Sequence, residues 1–190
     1  MARTFVYTFT AAVLAICTAI FAMSPSGVAD GASPPGLPVP GPPGLLHIPV
    51  PGVSALELRD SYEAPRGPDR VHAAIDIMAP TGTPVLAVDA GVIVKLFDSK
   101  PGGLTIYQFN PAGELAYYYA HLDRYADALQ EGGRVEPGQL IGYVGASGNA
   151  DPTAPHLHFA IFRLGPEKRW WEGTPLNPYP LFQPPETIKQ

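Results

Sequence analysis

The sequence predicts an all-β domain of short antiparallel strands. After Leu56 the chain becomes a series of brief apolar runs, many with β-branched or aromatic residues. Turn-forming residues punctuate these runs at regular intervals, a texture that implies a sandwich or barrel. The chain has 190 residues, enough for one domain with a core plus appendages.

Element by element, "TPVLAV" and "GVIVKLF" flank the turn candidate Asp89-Ala90-Gly91. "GLTIYQF" and "ELAYYYAHL" flank "NPAG", a strong hairpin signal. Under strict alternation Leu115, Tyr117, Tyr119 and His121 share one face of the second strand. The tyrosines of that face are candidates to wall a groove, although strand aromatics more often pack. "RYADALQEG", Arg124 to Gly132, reads as one short helix ended by glycine. "GGRVEPGQLIGYVG" repeats the turn–strand texture, and "ASGNADPTAP" is a loop leading into a strand over "HLHFAIF". Near the end, "RWWEGTPLNPYPLF" predicts an irregular segment folded back on the core, with Trp170 and Trp171 as cover and, as the lesser reading, as substrate contacts.

The N-terminal part has a different character. One early arginine precedes an uncharged apolar run from Phe5 to Met23, and small residues follow. That arrangement reads as a secretory signal, with "GVA" before Asp30 as a cleavage site, or as a membrane anchor if it is kept. Residues 34–51 are dense in proline and glycine, which suits an extended tether. Its apolar "LLHIPVPGV" has the composition to pack on the domain. The expected organisation is a signal or anchor over 1–29, a linker over 30–55, the domain over 56–182 and a tail over 183–190. The chain is therefore expected to be exported, to the periplasm or cell envelope, touching a membrane only through its first segment. Cys17, the single cysteine, lies inside the apolar run, so no disulfide is expected; lipidation there is the minority reading, because Ile16 stands where a small residue is required.

Charged residues make up only 15% of the chain and the net charge is -5, which argues against a nucleic-acid partner. The chemistry concentrates in the histidines. In "HLHF", His156 and His158 share a strand face about 7 Å apart, close enough to serve one centre. An isolated pair of this kind fits an exposed edge strand equally well. His72 and Asp76 are four residues apart in "HAAID", about 13 Å on a straight strand, too far for one metal. They converge only on a helical turn or across a bend; the β-branched Ile75 and Ile77 and the nearby prolines favour the bend. With His121, these are four imidazoles and one carboxylate, each at the start or end of a β-like run. Two histidines and a carboxylate suit zinc with a fourth position left open, and two histidines remain to handle protons. His47, in the tether, reads as a bystander.

The motifs "HAAID", "GTPVLAVDAGVIV", "YYYAHL", "GGRVEPGQLIGYVGASG" and "HLHF" occur in the order and spacing of the lysostaphin/LytM-type zinc metallopeptidases. The resemblance covers about Arg70 to Phe162. It implies a small antiparallel sheet, a barrel-sandwich hybrid, with a groove over a zinc ion. It also implies His72, Asp76 and His158 as zinc ligands and His121 and His156 as catalytic histidines. The implied activity is hydrolysis of cross-links or stem peptides in bacterial peptidoglycan. Ala74 departs from the family, where glycine is frequent. Two rival functions fit less well. A non-catalytic wall-binding module that regulates another hydrolase would lack some of these five residues. A lipoyl or biotinyl carrier needs a lysine on an exposed hairpin tip, a setting that Lys95 and Lys100 lack.

Overall fold

The computed structural model describes residues 46–68 and 70–184. The expected signal or anchor, Cys17, most of the tether and the last residues of the tail lie outside them. Nine strands follow in order: β1 (Ile75–Met78), β2 (Pro84–Leu86), β3 (Gly91–Ser99), β4 (Gly103–Phe109), β5 (Leu115–Tyr125), β6 (Arg134–Val135), β7 (Leu140–Val144), β8 (His156–Arg163) and β9 (Thr174–Leu176). A 3-10 turn, Tyr179–Phe182, follows β9. All pairings are antiparallel and the sheet does not close on itself, in agreement with the all-β reading.

The main path runs β1-β8-β5-β4-β3-β6, with β9 added beside β8. The long β5 organises it. Its first half pairs with β4 on one side and β8 on the other, while Leu122 to Tyr125 pair with β7. The "NPAG" hairpin forms as read: Asn110 N–H donates to Leu115 and Gly113 N–H donates to Asn110. Behind β5 and β8 lies the core, where Ile75, Ile77, Leu157, Phe159, Ile161 and Ile106 are almost fully excluded from water. These positions alternate along β1 and β8, so the opposite faces of both strands are left for the site.

Residues 46–55, which composition places in the tether, lie against the domain. Val50 is fully buried, and Leu46 and His47 donate backbone hydrogen bonds to Leu181 and Val88. Leu86 N–H donates in turn to Pro49. The apolar side chains interspersed among the prolines give this stretch something to bury, which composition counts obscure. Gln183, placed in the tail, is also buried and donates from its amide to Ala55.

The expected helix over Arg124 to Gly132 does not form. Arg124 and Tyr125 continue β5 against Tyr143 and Gly142, and Ala126 N–H donates to Ile141. The few residues left before Gly132 and Gly133 are too short to offset the cost of helix nucleation, and they turn instead.

Candidate functional site

Sheet register brings the first two residues together. Asp76 on β1 stands directly opposite His158 on β8, and His158 stands opposite Ala120 on β5. Directly opposed residues share a face with their Cβ atoms about 5 Å apart. His72 reaches the same point across the anticipated bend: Ala73 takes a left-handed backbone (φ 56°), which turns the chain just before β1. Ala74, where the family frequently has glycine, is not left-handed, and its methyl is fully buried.

The result is a compact triangle of donor atoms. His72 Nε2 lies 3.0 Å from Asp76 Oδ1, Asp76 Oδ1 lies 3.0 Å from His158 Nδ1, and that nitrogen lies 3.0 Å from His72 Nε2. Donors held at 2.0–2.1 Å on a tetrahedral zinc are separated by about 3.3 Å, so the triangle fits such an ion closely. The back of His72 is fixed as well. Its Nδ1 donates to the carbonyl of Ser61 at 3.0 Å, which leaves Nε2 with a free lone pair. Burial disfavours the charged form of Asp76, but hydrogen bonds and charge from His158 and His72 outweigh it and hold the carboxyl far below the usual range. Burial pushes the His158 imidazole down, opposed by the hydrogen bond and charge of Asp76.

His121 and His156 flank the triangle without belonging to it. His156 Nε2 is 3.7 Å from Asp76 Oδ1, and its Nδ1 donates to Ala154 O at 2.8 Å. His121 Nδ1 donates to Ser147 O at 2.8 Å. Each ring is thus tethered by one nitrogen and presents the other, with ring centroids 5.0 Å apart. Burial lowers the His121 pKa, partly opposed by the Ser147 carbonyl. His47 takes no part in this cluster.

His121 departs from strict alternation. Between Leu104–Ile106 of β4 and Tyr119–Leu122 of β5 the register slips by one residue, a β-bulge, and His121 itself is left-handed (φ 61°). Without the bulge His121 would face the core with Tyr117 and Tyr119. Those two tyrosines do face the core and do not wall the groove. The hydroxyl of Tyr117 donates to Asp89 and that of Tyr119 to Gln108. Tyr118 is the one beside the site, its ring 6.1 Å from that of His158. Trp170 covers no core either; it lies on the outer rings of Phe97 and Tyr107, and Trp171 is 63% exposed.

Ser147 is the clamp for His121. Its hydroxyl donates to Leu122 O and accepts from Leu104 N–H, which aims its carbonyl at the imidazole. The loop can lie this close because Gly103 and Gly148, both left-handed, pack backbone against backbone where any Cβ would collide. Sequence reasoning also missed Arg66, whose Nη2 donates to the second oxygen of Asp76 at 2.6 Å. The nearness of two arginines to "HAAID" was the only signal, and it is a weak one.

A sequence profile described as Peptidase family M23 matches residues 70–178. Among curated proteins, the L-Ala–D-Glu endopeptidase of Bacillus subtilis (strain 168) is 35% identical over 119 residues, 60% of this chain and 35% of that protein. DD-carboxypeptidase/endopeptidase Mpg of Neisseria meningitidis is 36% identical over 122 residues, 64% of this chain and 25% of that protein. The chain thus spans about a third or less of these relatives. Among solved structures, the catalytic domain of lysostaphin from Staphylococcus simulans superposes with a TM-score of 0.53 at 32% identity, over 62% of this chain and 84% of that one.

Proposed function

The chain belongs to peptidase family M23, and from that premise we propose that it is a zinc-dependent endopeptidase acting on the peptides of bacterial cell-wall peptidoglycan. The observation that carries the reading is the 3.0 Å triangle of two imidazole nitrogens and one carboxylate oxygen. Two imidazoles and one carboxylate form a donor set that suits zinc and leaves a position open for chemistry. The relatives named above are endopeptidases, which supports the reaction class.

His72, Asp76 and His158 would hold the ion. When bound, zinc supplies the Lewis acidity that makes water a nucleophile near neutral pH and polarises a scissile carbonyl. The chain's own residues do the rest. His121 and His156, each tied back through Nδ1, line the same cleft as the triangle and keep Nε2 for chemistry there. From there the pair takes the proton of the attacking water, donates to the oxyanion and returns a proton to the leaving amine. The lowered pKa of His121 keeps it in the proton-accepting form. The site lies in a cleft of about 370 Å³, room for a few residues of an extended peptide. Such a substrate lies outside the cytoplasm, in keeping with an exported chain.

The test is elemental analysis of the purified protein, together with digestion of purified peptidoglycan and identification of the fragments by mass. About one zinc per chain and peptide-bond cleavage that stops in chelator are expected. Full cleavage in chelator by a metal-free protein would overturn the assignment.

A further inference from the structure

We infer that Arg66 and Arg70 form a carboxylate-recognition wall beside the candidate zinc centre, so that the preferred substrate carries a free carboxylate close to the bond cut. This rests on the endopeptidase reading and selects among its substrates. An acidic stem peptide fits; a glycine bridge, with no charge along it, does not.

Both arginines line the cleft that holds the five site residues. The loop carrying them is closed at its base, where Pro65 bridges Val71 and Arg66 N–H donates to Arg70 O at 2.8 Å. Arg66 sits one carboxylate away from the donor triangle: its Nη2 holds Asp76 Oδ2, while Oδ1 faces the imidazoles. A guanidinium has five N–H donors, and this bond uses one. The side chain is 42% exposed, so donors remain for a ligand. Orienting Asp76 accounts for Arg66 alone and gives no role to Arg70. Asn149 and Asp151 line the same cleft, and Asp151 Oδ1 already accepts two bonds from Thr153. The same cleft holds two carboxylates, Asp76 and Asp151, so its two guanidiniums create no net positive field. They act by direct pairing, because the arginine fork matches the planar carboxylate in particular. Extended peptide advances about 3.3–3.6 Å per residue, so a carboxylate seated here falls within about two residues of the scissile bond.

The experiment uses the zinc-loaded full chain and the stem pentapeptide L-Ala–D-Glu–diaminopimelate–D-Ala–D-Ala in three forms: free acid, amidated at the C-terminus, and amidated at D-Glu and diaminopimelate. If the wild type cleaves them, selectivity is read as the ratio of kcat/KM values. If it cleaves none, calorimetry gives the same ratio from binding without turnover, and digestion of purified peptidoglycan decides the endopeptidase reading separately. Either way, at least one amidated form should lose about tenfold or more, and which form loses identifies the carboxylate. Arg70→Gln, which touches no proposed ligand, should collapse the free-acid advantage towards one, and Arg70→Lys should restore part of it. Arg66→Gln should do the same, with zinc content measured in parallel to separate recognition from support of Asp76. Equal handling of all three forms by the wild type, or a free-acid advantage unchanged in Arg70→Gln and Arg66→Gln, overturns the inference.

Discussion

Replacing His158, His156 and His121 by alanine one at a time separates metal binding from chemistry. Each pair within the triangle of His72 Nε2, Asp76 Oδ1 and His158 Nδ1 is 3.0 Å apart. His158→Ala deletes one vertex and leaves two donors. Loss of a group that merely supports a ligand costs about ten- to hundredfold in metal affinity, so loss of a ligand should cost more. His156 does not step in, because its Nε2 is 3.7 Å from Asp76 Oδ1 and its other nitrogen is tied to Ala154. His158→Ala is therefore expected to lose both zinc and activity. His156→Ala and His121→Ala leave the triangle whole and should keep about one zinc per chain. Without a proton carrier or oxyanion donor, their rates should fall by about 10²–10⁴. The assays are zinc stoichiometry after dialysis, circular dichroism for the fold, and initial rates on purified peptidoglycan. His47→Ala, far along the chain from the cluster, should match the parent. If His156→Ala loses zinc while His158→Ala keeps it, the roles within "HLH" are reversed. If all variants keep zinc and full activity, the site lies elsewhere.

Other perturbations probe the support of the site. Tyr119→Phe strands two buried groups, Val88 N–H and Gln108 Oε1, so a loss of about 2–5 kcal/mol in chemical denaturation is expected; no change would mean the network is dispensable. Gly103→Ala puts a methyl into the backbone of Ser147 and Gly148, and should lower kcat through His121 while zinc stays bound; unchanged kcat would refute the clamp. Free zinc at a hundred times its Kd should stabilise the metal-free protein by about 2.7 kcal/mol, read as a rise in Tm that His158→Ala abolishes. Fractionation should place the full-length chain in the envelope, and recovery of that chain in the cytosol would count against export.

What the sequence revealed and what it concealed divide along one physical line. Strand periodicity carries through the "NPAG" hairpin and through β8, where His156 and His158 fall on the face opposite Leu157 and Phe159 as alternation requires. The bend between His72 and Asp76 was legible too, because a straight strand makes their convergence impossible. His121 was not legible, although its membership of the cluster was. Alternation sends it to the core with Tyr117 and Tyr119, and only a one-residue bulge with a left-handed backbone returns it to the cleft. Such a conformation costs a non-glycine residue of order 1 kcal/mol and leaves no mark in composition or period. It persists because distant groups hold it: Gly102 O accepts from His121 N–H, and Ser147 O accepts from its ring. Tyr118 lies before the bulge and reaches the site face by plain alternation against Tyr117 and Tyr119. Of the three left-handed non-glycine residues among the described residues, two belong to or adjoin the cluster, Ala73 next to His72 and His121 itself. The local rules fail where the sheet is bent to bring its histidines together, and at those positions the backbone strain marks the candidate site as clearly as the side chains do.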